Sequence, residues 1–105
     1  MSALRRYEIL LPLRFNDGQS VPDGLISDTL IELETRFGTV SWETQIIRGR
    51  WRHEEESYSD DLMRVLIDVE DLVEHREFFA EFKGRLKIRF RQIEIYMTTH
   101  LLEVI

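Results

Sequence analysis

Arg48, Arg50 and Arg52 recur at every second position around Trp51, and His53, Glu54, Glu55 and Glu56 follow at once. An extended strand aims alternate side chains to one side, so the three guanidiniums share a face. Guanidinium forks beside an indole can hold a phosphate or a carboxylate, or stack a base. The segment also carries its own counter-charges: Glu54 to Glu56, with Asp60 and Asp61 across a hairpin, can neutralise the arginines as an ordinary cross-paired ribbon.

His53 with Glu54, Glu55, Glu56, Asp60 and Asp61 offers oxygen and imidazole ligands for a metal. Adjacent carboxylates on a turn do not converge without a frame, and zinc favours several His or Cys ligands. No metal or cofactor is therefore expected. Asp17 is the weak exception, because it lies with Asn16 where the first strand ends, a location at which some ferredoxin-like nucleases hold a metal; Asp17-Gly18 is equally what a plain turn requires. His75 and His100 are isolated, with no nucleophile or second His at useful spacing. Trp42, Trp51, Tyr58 and Tyr96 are the aromatic set; on an open sheet face such residues either line a small-molecule pocket or fill an interface.

Those residues need a scaffold, and 105 residues without a linker-like stretch describe one domain, 1–105. Hydrophobic residues at 43% and charged residues at 32% are those of an ordinary folded protein. The chain has no cysteine, which excludes disulfides, thiolate nucleophiles and Cys-ligated metals and makes a cytoplasmic home the simplest expectation. Twenty acidic residues against 14 basic give a net charge of −6, which argues against a broad nucleic-acid footprint. The apolar run near the start is broken by Pro12 and Arg14, so neither a signal peptide nor a membrane span is expected.

The periodicity predicts strand, helix, two strands, helix, strand. Tyr7 to Phe15 alternates, with Pro12 marking a strand end, bulge or free edge. Pro22 suits the first turn of a helix, Ile26, Leu30, Leu33 and Phe37 share one helical face, and Gly38 stops it. Val40 to Ile47 alternates again, as does Leu62 to Val69, whose second face carries Leu66. Asp71 and Glu74 read as a capping-box start to a helix that buries His75, Phe78, Phe79, Phe82, Leu86 and Phe90. Ile93 to about Thr99 forms the last strand, and Leu101, Leu102, Val104 and Ile105 continue as an apolar tail. With right-handed connections this order gives an α+β, ferredoxin-like βαββαβ domain: a four-stranded antiparallel sheet with two helices on one face and the other face open.

Gly49 and Trp51 after a strand, then Lys87, Arg89, Phe90 and Gln92 before the last strand, resemble a group of small uncharacterised bacterial proteins with a Gly-x-Trp in the hairpin and a Lys-x-Arg-Phe-x-Gln further on. The resemblance implies the split β-α-β fold and no activity.

Three functions follow as expectations. The first is a protein-interaction or assembly module that forms a homodimer or higher homo-oligomer through the open sheet face, with the 48–61 hairpin contacting its partner subunit or a second protein. The second is a dimeric barrel-like enzyme or small-ligand binder for an anionic or aromatic compound, built from Trp42, Tyr96, His53 and the arginines. It requires a closed apolar pocket of about 300 Å³ or more between sheet and hairpin, with at least two polar side chains converging. The third is a metal-dependent nuclease relying on Asp17.

Overall fold

A computed structural model describes residues 3–105. The elements run β1 (Leu4–Pro12), α1 (Asp23–Phe37), β2 (Ser41–Trp42), β3 (Ile47–His53), β4 (Glu56–Glu70), α2 (Val73–Arg89) and β5 (Met97–Leu102). All pairings are antiparallel. The sheet path is β2-β4-β1-β5, with β3 also paired to β4, so β4 lies between β1 on one edge and β2 and β3, end to end, on the other.

The architecture is α+β, as the periodicity implies, but the sheet has five strands where four were expected, in the order βαβββαβ. The expected Val40–Ile47 strand breaks after Trp42. Trp42 pairs with Val65 and Ile47 with Leu62, so five residue steps on one strand span three on β4 and two residues are looped out. An even excess keeps the alternation of faces intact across the break. The chain then turns between His53 and Glu56 through Glu54 and Glu55, both at positive φ (50° and 69°), the primed turn whose twist matches a two-residue hairpin.

One face of the sheet is closed by the helices. Tyr7, Ile9 and Leu11 of β1 and Val65, Ile67 and Val69 of β4 are buried against Leu33 of α1 and Phe79, Phe82 and Leu86 of α2. Tyr7 stacks on Phe79 at 3.9 Å, and Phe79 stacks on Phe37, so both helices sit on the same side. The first helix ends at Gly38, whose φ of 77° closes it with an N–H to Glu34 C=O bond. Asp71 does not cap α2 as its position suggests: its carboxylate accepts the Arg5 Nε–H at 2.7 Å, and Leu72 is the N-cap.

The helices are joined by charge. Glu32 of α1 accepts hydrogen bonds from Arg85 and Arg89 of α2, and Arg89 also donates to Thr29 Oγ1 at 3.0 Å. Burial pushes the Glu32 carboxyl up, but the hydrogen bonds and charges of the two arginines outweigh it and hold it below the ordinary carboxylate range. A carboxyl whose pKa is lower folded than unfolded stabilises the fold above its unfolded value, and that stabilisation is lost as pH falls through the folded one. Glu32→Gln should therefore lower stability at neutral pH and flatten its decline on acidification. Denaturant midpoints between pH 7 and pH 3 check this; parallel curves for the two proteins would contradict it.

Candidate small-molecule site on the open sheet face

The uncovered face carries Leu10 and Pro12 of β1, Leu62 and Asp60 of β4, and Gly49 and Trp51 of β3, all brought to one side by the strand registers. The β3–β4 hairpin projects as a two-stranded ribbon beyond β1, whose pairing with β4 ends at Leu62. A second wall comes from the segment after α2. That helix ends with Gln92 N–H bonded to Lys87 C=O and Arg91 N–H to Ile88 C=O, a Schellman closure with Arg91 at the left-handed position (φ 54°) where glycine is commoner. The turn directs Gln92, Glu94 and Tyr96 toward the ribbon, and the Leu10 N–H to Tyr96 C=O bond (3.0 Å) ties this wall to β1.

Between the walls lies a cavity of about 390 Å³ lined chiefly by apolar surface, with Leu10, Pro12 and Leu62 as its floor and Trp51, Asp60, Glu94 and Tyr96 around it. Trp51 is fixed twice: its Nε1–H donates to Asp60 Oδ2 at 2.6 Å, and its ring stacks on Tyr58 at 4.5 Å. A charge-assisted bond holding an indole in place makes that ring a rigid platform. Glu94 Oε1 accepts from Lys83 Nζ and from the Ile95 N–H, both at 3.0 Å. The Lys83 hydrogen bond holds the Glu94 carboxyl below its ordinary range, against a smaller opposing effect of burial. Gln92 is buried and donates to Phe90 C=O. A Cβ at Gly49 would meet Leu62 Cδ1 at 3.5 Å, an ordinary van der Waals contact.

The expected site residues separate accordingly. Arg50, Trp51 and Tyr96 line the cavity, and Tyr58 braces Trp51 from behind. Arg48, Arg50 and Arg52 share a ribbon face as expected, opposite Asp61, Ser59 and Ser57. Only Arg48 has a carboxylate there: Asp61 lies 3.7 Å from it and 3.6 Å from Arg14. His53 is at the exposed hairpin tip beside Glu54, away from the cavity lining. Trp42 is paired with the core residue Val65, so it belongs to the helix-side face and not with the other aromatics. Asp17 sits in the turn and accepts the Gln19 N–H at 2.9 Å, while Asp68 is held by both ends of the Arg6 guanidinium. Among the described residues no three His, Cys, Asp or Glu side chains converge as a metal site, and no helix is long and apolar enough to cross a membrane.

Sequence reading named Asp60 only as a counter-charge or metal ligand and Gln92 only within a short pattern, and it did not single out Glu94 as a site residue. The available signal was spacing: Gln92, Glu94 and Tyr96 alternate, so one extended segment presents all three together. The two short patterns noted in the sequence also meet here, since Gly49, Trp51 and Gln92 all line the cavity.

No family model matches the chain, and no curated protein matches it significantly. Solved structures of phage SAM lyases do share its fold. A phage SAM lyase in complex with S-methyl-5'-thioadenosine superposes with a TM-score of 0.66 at 11% identity, covering 99% of this chain and 92% of the lyase chain. A phage SAM lyase in its apo state gives 0.62 at 15% identity, covering 94% and 81%. A de novo designed protein with a ferredoxin fold aligns with a TM-score of 0.37 at 11% identity, covering 100% of this chain and 88% of the design.

Proposed function

We propose that this chain is a small-ligand protein whose open-face cavity takes a nucleoside thioether or sulfonium of the S-adenosylmethionine class, with cleavage at the sulfur as the reaction such a site supports. The observation that carries this reading is the cavity itself: about 390 Å³, apolar-floored, with a braced indole, a tyrosine and two carboxylates converging on it. That volume and mix of surfaces is typical of a small-molecule site. A purine can stack on an aromatic platform, and a sulfonium cation is favoured near aromatic faces and carboxylates. Breaking a sulfonium C–S bond sends the electron pair to sulfur and leaves a neutral thioether, while the carbon released from sulfur takes its new bond from an oxygen of the ligand's own tail carboxylate and closes a lactone. The apolar floor disfavours the charge that is lost and so assists the step. The shared fold with a lyase captured with S-methyl-5'-thioadenosine supports the choice of ligand class over other aromatic compounds.

Isothermal titration with S-adenosylhomocysteine and with S-methyl-5'-thioadenosine should give saturable binding that Trp51→Ala weakens by about tenfold or more, the loss of one stacked ring. Chromatography of S-adenosylmethionine incubated with the protein should show S-methyl-5'-thioadenosine accumulating faster than in buffer. No binding of either nucleoside at millimolar concentration would contradict the reading.

A second reading concerns assembly, and one observation favours it. Among the described residues the edge strand β5 pairs with β1 alone, and it carries exposed Leu101 (60%) into a tail with exposed Val104 (67%). An unpaired apolar edge is a template for another chain. We propose that two copies associate through this edge, a different surface from the open sheet face and 48–61 hairpin through which the sequence reading expected a homo-oligomer to form. Light scattering should give the mass of an oligomer, and Leu101→Glu with Val104→Glu should shift it toward 12.6 kDa. A wild-type monomer at micromolar concentration would refute it.

A further inference from the structure

The hairpin sorts its charges by face. On the Trp51 side the indole N–H is held by Asp60, the Tyr58 hydroxyl donates to Glu56 Oε2 at 3.1 Å, and Glu54 lies 3.8 Å from His53. The opposite side carries Arg48, Arg50 and Arg52, facing Asp61, Ser59 and Ser57 across the strands. Its one carboxylate in the ladder is shared, since Asp61 lies 3.7 Å from Arg48 and 3.6 Å from Arg14. Of the cross-pairing that the sequence suggests, Arg48 with Asp61 is therefore the part that forms, because the register turns Asp60 and Glu56 to the other face.

Arg50 and Arg52 are exposed, and among the described residues they make no ion pair and no side-chain hydrogen bond. In a chain of net charge −6, two neighbouring guanidiniums without a carboxylate are a local exception. They stand two residues apart on one strand, about 7 Å, opposite two serine hydroxyls. These four residues, with Trp51 and Tyr58 between them in the strands, line a hollow of about 350 Å³. Two adjacent cations repel each other and gain from a shared anion; a hydroxyl can donate to that anion but cannot balance the charge. A phosphate group offers more acceptor oxygens than a carboxylate, enough for two guanidinium forks and two hydroxyls at once. The extent of the face favours a small ligand: it spans two free arginines, and the net negative charge of the chain repels a long polyanion.

We propose that the arginine face of the hairpin is a phosphate site, in which Arg50 and Arg52 grip the phosphate of a small phosphorylated ligand and Ser57 and Ser59 donate to it from the neighbouring strand. The site lies on the side of the ribbon away from the cavity framed by Trp51, and it does not depend on what that cavity binds.

The test is isothermal titration at low ionic strength with inorganic pyrophosphate, and separately with a single-stranded oligothymidylate. The wild type should bind one pyrophosphate with submillimolar affinity. Arg50→Ala combined with Arg52→Ala should weaken it by about tenfold or more, the loss of charged hydrogen bonds. Arg48→Ala, which removes a guanidinium already engaged by Asp61, should stay within about threefold of the wild type. Arg50→Lys with Arg52→Lys keeps the charge without the forks and should fall between the wild type and the double alanine variant. No saturable binding at millimolar pyrophosphate overturns the proposal. So does a loss in Arg48→Ala as large as in the double alanine variant, which would reduce the face to a general attraction for anions. Oligothymidylate binding through Arg50 and Arg52 with pyrophosphate silent would assign the face to a nucleic-acid strand and overturn the small-ligand site.

Discussion

The structure depends on β4 running unbroken from Glu56 to Glu70. It pairs with three of the other four strands: with β1 from Leu62 onward, with β3 from Leu62 back to the hairpin, and with β2 at Val65 and Leu66. Its two halves live in different environments. From Met63 to Val69 alternate residues enter the core, whereas from Glu56 to Asp61 the strand is held by β3 and by its own cross-strand pairs. A two-stranded ribbon is marginal by itself, and this one inherits its register from a strand anchored in the core. Trp51 is placed over the cavity for that reason: its partner Tyr58 and its acceptor Asp60 belong to the same continuous strand.

Around that strand the body is fastened by charge pairs bridging elements far apart in sequence. Arg6 grips Asp68 with two bonds of 2.8 and 3.0 Å, Arg5 holds Asp71, Arg64 reaches Glu43, and Glu32 takes two arginines of α2. Pairs of this exposure contribute little each, but they fix geometry. The Arg5–Asp71 contact sets where α2 begins, and the Schellman closure sets where it ends. Both ends of the helix being fixed, the Gln92–Tyr96 wall has one place to lie. The site is therefore a seam between a core-anchored ribbon and a helix exit.

The helices were legible in the sequence, because Pro22, Gly38 and the phenylalanines of α2 give a 3.6-residue period with its punctuation. The strands were less so. Tyr7–Phe15 was expected where Leu4–Pro12 forms: Arg5 and Arg6 interrupt the apolar alternation, yet their pairing with Asp71 and Asp68 holds them in the strand. Phe15, meanwhile, packs against the core from a loop under the Arg91 guanidinium. Likewise Met97–Leu102 replaces Ile93–Thr99, because Ile95 is spent on the core before the strand begins. The polar half of β4 has no apolar alternation to announce it. The arginine face and Trp51 were visible as a pattern. Their relation to Glu94 and Tyr96 was not, since it arises only when the helix exit is folded against the ribbon. Trp42 illustrates the converse, an aromatic of the right type placed by Val65 on the other face.

The central claim is that the surface framed by Trp51 is where a ligand binds, and the chain offers a direct probe because it has only two tryptophans. In a Trp42→Phe protein, Trp51 is the sole indole emitter. Titration with S-adenosylhomocysteine should change its emission saturably, with the midpoint matching the calorimetric affinity, as the ring exchanges water for a stacked purine. Emission that stays flat through millimolar ligand would place binding, if any, elsewhere and contradict the account.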